Sequence, residues 1–115
     1  MRLELACPSC GRRYEPTLQA WRCVCGSPLN VEKRIVRGPF RGYGVWRYRS
    51  LLPLLGDPIT LGEGNTPIIE RDIAGVKAML KLEFMNPTGS FKDRGAALMV
   101  SNLKALGARS AVIDS

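Results

Sequence analysis

The chain has 115 residues, 45% of them hydrophobic, and carries a formal net charge of +7 with no histidine. That length gives room for one modest domain, and the lack of histidine excludes Ser-His-Asp chemistry and histidine acid–base catalysis within these residues. No apolar stretch reaches the roughly 18 residues a membrane span needs, and Met1-Arg2-Leu3-Glu4 runs toward a cysteine without a secretory apolar core, so a cytoplasmic protein with no membrane partner is expected.

Composition divides the chain into three parts: a cysteine-rich unit over 1–30, a basic aromatic linker over 31–56, and a charge-balanced, patterned segment over 57–115. The first 50 residues hold ten Lys and Arg against three Asp and Glu, so they carry the whole positive excess.

In the first part, Cys7-Pro8-Ser9-Cys10-Gly11 is followed after twelve residues by Cys23-Val24-Cys25-Gly26. Two close pairs of thiolates suit tetrahedral Zn²⁺, and a closed four-thiolate site would be structural, with no open position for substrate. Four free cysteines are the alternative, whereas structural disulfides do not suit a cytoplasmic setting. The glycine after each pair permits backbone conformations that other residues resist. Tyr14 and Trp21 are expected to pack against this zinc-ribbon-like unit.

The second part interleaves Arg37, Phe40, Arg41, Tyr43, Trp46, Arg47, Tyr48 and Arg49. Cations alternating with aromatics can bind nucleic acid through phosphate contacts and base stacking. The competing reading is a connecting arm with docked aromatics and solvated arginines.

The third part has the clearest periodicity. Val76, Ala78, Leu80, Leu82 and Phe84 alternate with Lys77, Met79, Lys81 and Glu83, which predicts a half-buried strand. A turn follows at Met85-Asn86-Pro87-Thr88-Gly89. Ser90 is then placed to cap a helix, with Asp93 three residues on in a capping-box-like arrangement. The helix is predicted to run to about Leu106, with Gly107 as its C′ residue. Ala111 to Ile113 reads as the next strand. Strand, loop, helix and strand in that order predict an α/β fold with a right-handed parallel crossover. The last strand breaks off at Asp114-Ser115, so the chain is expected to be the opening part of a longer protein.

The predicted helix carries an apolar stripe of Ala96, Met99, Leu103 and Leu106. Extended backward, the stripe meets Lys92, which is thereby predicted to face the packed side in the first helical turn. Burial and the positive end of the helix dipole both disfavour an ammonium there. A neutral amine of that kind is what a Schiff-base lysine requires. The plainer reading is a lysine reaching water beside Asp93 and Arg94. Likewise Thr88-Gly89-Ser90 could present N–H groups to an anion, but a helix cap is the preferred reading.

Asn86-Pro87-Thr88-Gly89-Ser90-Phe91-Lys92-Asp93-Arg94-Gly95 resembles the lysine motif of fold-type II pyridoxal-phosphate enzymes. Leu61-Gly62-Glu63-Gly64-Asn65-Thr66-Pro67 is similar to the segment upstream of that lysine, and the pairing is most similar to threonine synthases. Some of that group carry a short cysteine-rich N-terminal segment with the same Cys-x-Cys second pair. The resemblance implies Lys92 as the catalytic lysine that holds pyridoxal 5′-phosphate and moves protons on an amino-acid substrate. It implies a lyase converting O-phosphohomoserine and water to threonine and phosphate, and a homodimer for the complete enzyme. Threonine dehydratase and cysteine or cysteate synthase are the neighbouring alternatives, and a zinc-ribbon nucleic-acid-binding module is the alternative from another class. The family's remaining cofactor loops lie beyond Ser115 in relatives, so this chain alone is expected to be inactive.

Overall fold

The computed structural model describes residues 3–33, 35 and 38–112. Its first unit is a small antiparallel sheet of β1 (Glu4–Ala6), β2 (Arg13–Tyr14) and β3 (Asn30–Glu32), in the order β2-β1-β3. Leu5 lies opposite both Tyr14 and Val31 and therefore sits in the middle of the sheet. Among the described residues, the buried apolar side chains are Leu3, Leu5, Ala6, Cys7 and Cys23, all of which belong to this unit.

The second unit is a hairpin of β4 (Ile68–Ile73) and β5 (Val76–Lys81), in register from Ile68↔Lys81 to Ile73↔Val76. That register leaves Ala74-Gly75 as a two-residue turn, with φ of +52° and +80°. Positive φ at both central positions matches the right-handed twist of the flanking strands. The Gly75 N–H donates to Asp72 Oδ1 at 2.8 Å. The predicted strand is thus present over Val76–Lys81, but Glu83–Met85 form a single 3₁₀ turn. Ala78, Leu80 and Leu82 are half-buried while Lys77, Met79 and Lys81 are exposed, as a period of two requires. Val76 and Phe84, expected on the buried face, are exposed.

Helix α1 (Asp93–Ala105) follows. It starts later than its sequence suggests. Ser90 accepts from the Lys92 N–H at 3.2 Å, and the Asp93 carboxylate reaches back to the Thr88 N–H at 2.8 Å and to the Thr88 hydroxyl. Thr88 thus donates both bonds to Asp93, and the N-cap position itself, Lys92, has no side-chain cap. At the other end Gly107, at φ +84°, is the C′ residue as predicted. Ala108 N–H donates to Leu103 C=O and Gly107 N–H to Lys104 C=O, the two bonds of a Schellman motif.

The predicted parallel crossover is not seen among the described residues. The sheet that precedes α1 is an antiparallel hairpin, and Ala111 and Val112 form no strand. The last residue of the expected strand, Ile113, lies outside the described residues. A lone strand with alternating residues does not identify its partner, and β4, which lacks that alternation, supplies it here.

Helix α1 is fastened by polar side chains. Ser101, 1% exposed, accepts the Ile59 N–H at 2.8 Å. Asn102 accepts from Leu55 N–H and donates to Pro53 C=O, both at 2.9 Å. The extended segment 53–59 so borrows side chains in place of a neighbouring strand. The accessible surface is 8585 Å², against about 6,200 Å² for a compact chain of this mass, which leaves much apolar surface uncovered. Among the described residues no helix is long and apolar enough to cross a membrane.

Candidate functional site: a cysteine cluster and the turn bearing Lys92

Strand β1 delivers Cys7 directly into a turn that also carries Cys10, and a second turn carries Cys23 and Cys25. Each turn closes on its glycine: Gly11 N–H donates to Cys7 C=O at 2.9 Å and Gly26 N–H to Cys23 C=O at 2.8 Å. Both glycines have positive φ, +73° and +89°. The four sulfurs lie within 4.8 Å of one another, with Cys7–Cys25 and Cys10–Cys23 at 3.5 Å. These distances are too long for disulfides. They fit the edges of a tetrahedron about a metal, roughly 3.8 Å for Zn–S bonds of 2.3 Å.

The thiols are electrostatically unequal. Cys23 is lowered to about 6 by the Cys25 backbone N–H and by the Tyr14 hydroxyl, 3.1 Å from its sulfur. Burial alone would raise Cys7, but the backbone N–H groups of Cys10 and Ser9 outweigh it and bring it down. Cys25 has the Ser27 N–H in favour of its thiolate, yet the Cys23 and Cys7 sulfurs push it up to about 11. Cys10 is raised in the same way by Cys23 and Cys7, against the Arg12 N–H. Four sulfurs this close resist ionising together without a cation among them.

Tyr14 packs on the cluster as expected, and its oxygen also accepts the Val24 N–H at 3.2 Å. Trp21 does not. It is 64% exposed, with the Arg22 guanidinium 4.5 Å above its ring. The cluster is too small to cover an indole, so the cation covers it instead.

In the basic stretch, Phe40 packs edge-on against Tyr48 with ring centroids 5.1 Å apart, while Arg41, Arg47 and Arg49 are exposed. Arg37 lies outside the described residues.

Lys92 stands at the N-terminal boundary of α1, as the sequence suggests, but its predicted burial is corrected: the residue is exposed. The stripe it shares with Ala96 and Met99 is only partly covered, and Met99 is 37% exposed. The reason lies in Ser101 and Asn102, which turn the neighbouring, polar side of α1 onto segment 53–59. The Thr88 amide is occupied by the Asp93 carboxylate at this turn.

Sequence reasoning missed what holds that turn. The Glu83 carboxylate receives both arms of the Arg94 guanidinium at 2.8 Å. It also accepts from the Thr66 hydroxyl at 2.6 Å and from Asn86 Nδ2 at 3.2 Å. Arg94 and Thr66, with Asn86, draw Glu83 down to about 2. Asn86, buried, binds further to the Glu83 C=O at 2.8 Å and accepts the Gly64 N–H at 2.9 Å. Residues 64–66 and 86–94 thus meet at one carboxylate. The signal was present in the two motifs, but nothing in their spacing shows that they touch.

Glu63, 2% exposed, is satisfied locally. Its carboxylate accepts the Thr60 hydroxyl at 3.0 Å and the Leu61 N–H at 2.8 Å.

A family model for "Pyridoxal-phosphate dependent enzyme" matches residues 59–115, the stretch that contains Lys92 and the Glu83 cluster. The threonine synthase of Methanosarcina acetivorans is 36% identical over 90% of this chain and 29% of its own length. That of Methanocaldococcus jannaschii is 32% identical over 88% of this chain and 29% of its own. The chain is thus similar to threonine synthases over most of its length. It spans just under a third of the length of these relatives. The threonine synthase of Halalkalibacterium halodurans is 45% identical over 59% of the chain and 21% of its own length. No solved structure matches the chain.

Proposed function

We propose that this chain forms part of a cytoplasmic pyridoxal-phosphate lyase of the threonine synthase type, which acts on O-phosphohomoserine as a homodimer. Lys92 is the lysine that holds the cofactor. The carrying observation is its place: an exposed amine at the entrance to α1, inside the matched stretch 59–115, on a turn clamped at both ends. Pyridoxal phosphate, when bound, supplies an electron sink for carbanions formed on amino-acid substrates. Lys92 would contribute the accessible amine that holds the cofactor and could carry a proton to or from the substrate carbon. The N-terminal end of α1 favours the cofactor's phosphate. Cys7, Cys10, Cys23 and Cys25 hold one structural Zn²⁺ and close the 1–30 unit; their spacing and donor chemistry support that ion.

The test is covalent trapping. The 115-residue chain is incubated with pyridoxal phosphate and borohydride, and labelled lysines are mapped by mass. Lys92 is expected to label roughly threefold faster than Lys77, the preference a helix N-terminus gives an anionic reagent. Equal labelling overturns the assignment. The isolated chain is expected to form no threonine.

A further inference from the structure

The turn that carries Lys92 spans Asn86 to Arg94, and both ends of it return to Glu83. At one end Asn86 binds the Glu83 main-chain carbonyl and carboxylate. At the other Arg94, two residues beyond Lys92, forms a two-armed ion pair with the same carboxylate. Glu83 is itself fixed. It follows β5 in a 3₁₀ turn, and the Thr66 hydroxyl, 6% exposed as a residue, donates to it. Lys81 adds a donor to the Thr66 carbonyl at 3.0 Å. A planar guanidinium bound by two parallel arms fixes orientation as well as distance. The first turn of α1 therefore cannot rotate about its axis without breaking that fork.

We propose that Glu83 is a positioning residue for Lys92: through Arg94 and Asn86 it sets the rotation of the first turn of α1 and so the direction in which the Lys92 amine emerges. The proposal rests on the reading of Lys92 as the cofactor lysine. Glu83 touches no cofactor or substrate in this role. Arg94 transmits its effect along the helix, Asn86 along the loop, and Thr66 holds it in place. A lysine on a free turn would reach the aldehyde from many directions, and a fixed turn selects one.

The test compares the 115-residue chain with Glu83→Gln, which keeps the shape and removes the charge, using two measurements. The first is the Lys92-to-Lys77 labelling ratio described above. The second is amide hydrogen exchange in peptides covering 87–94, the hairpin 68–81 and the sheet of 3–32. Glu83→Gln is expected to bring the labelling ratio to parity and to speed exchange in 87–94 about tenfold, with the hairpin and sheet unchanged. Arg94→Lys, which keeps the charge but not the fork, is expected to behave like Glu83→Gln, whereas Glu83→Asp restores part of the labelling preference. A general structural role would speed exchange in all three peptides, and that result overturns the proposal. So does an unchanged ratio in Glu83→Gln. Should Glu83→Gln fail to fold, Thr66→Val removes the hydroxyl that donates to Glu83 and accepts from Arg94 at 3.1 Å while keeping both partners of the ion pair, and an unchanged ratio there overturns it equally. Parity already in the wild-type chain is the separate failure of the Lys92 assignment.

Discussion

Gly44 and Gly64 stand back to back. A Cβ on Gly64 would lie 2.8 Å from the Gly44 Cα, and one on Gly44 would lie 2.1 Å from the Glu63 carbonyl oxygen. Val45 N–H donates to that same oxygen at 3.1 Å, so the basic stretch is docked on the Gly-Glu-Gly-Asn-Thr-Pro motif by main-chain contact. Gly64→Ala is expected to cost about 2–4 kcal/mol, from overpacking and from its φ of +98°. Urea unfolding measures it, and a midpoint equal to the wild type refutes the contact.

Ala74 occupies a left-handed position in the hairpin turn, where Asn is favoured before Gly. Ala74→Asn is expected to stabilise the hairpin by about 1 kcal/mol. Slower amide exchange across Ile68–Lys81 would register it.

Loss of the Ser101 hydroxyl strands the Ile59 N–H. Ser101→Ala is expected to destabilise the chain by about 1–3 kcal/mol, although serine ranks below alanine in helix propensity. An increase in stability would mean that water replaces the hydroxyl at Ile59.

Glu83 titrates at about 2, below the ordinary carboxylate range, because Arg94 and Thr66 bind its charged form. A depressed carboxylate stabilises the fold fully above its unfolded pKa and loses that contribution as pH falls through its folded value. The stability gap between wild type and Glu83→Gln is therefore expected to be constant near neutrality and to close between about pH 5 and pH 2. Denaturant midpoints at four or five pH values would trace it. A gap that stays flat to pH 2 would refute the ion pair.

One zinc per chain is expected by metal analysis, and Cys10→Ser or Cys25→Ser should lower it. The sheet of 3–32 buries only five apolar side chains, so chelation is expected to unfold it and leave the 68–81 hairpin paired. Residue-resolved NMR would separate the two units. Retention of the sheet in excess chelator would show that the sulfurs need no metal to stay together.

Much of this was legible beforehand. The cysteine spacing gave the cluster because four sulfurs on two glycine-closed turns have few ways to meet. Gly107 was readable because a helix end is a local event. The direction of α1 was not, since its contact face is set by Ser101 and Asn102, which an apolar count passes over. Lys92 was accordingly placed on the packed side and emerges exposed. Strand β4 escaped notice because Glu70-Arg71-Asp72 interrupts its apolar pattern, and the Glu83 cluster because it joins residues far apart in sequence. Antiparallel pairing follows from a two-residue turn at Ala74-Gly75, which only the left-handed backbone of Ala74 reveals.

Among the described residues the most sheltered side chains are a carboxylate and a hydroxyl, those of Glu63 and Ser101. Heat-capacity change on unfolding follows the apolar surface newly wetted and is reduced by polar surface. A calorimeter should therefore record an increment well under the usual 12–15 cal/mol/K per residue and a broad, shallow endotherm. Cooling would erode the stability of such a chain far less than it erodes that of a protein with an oily interior.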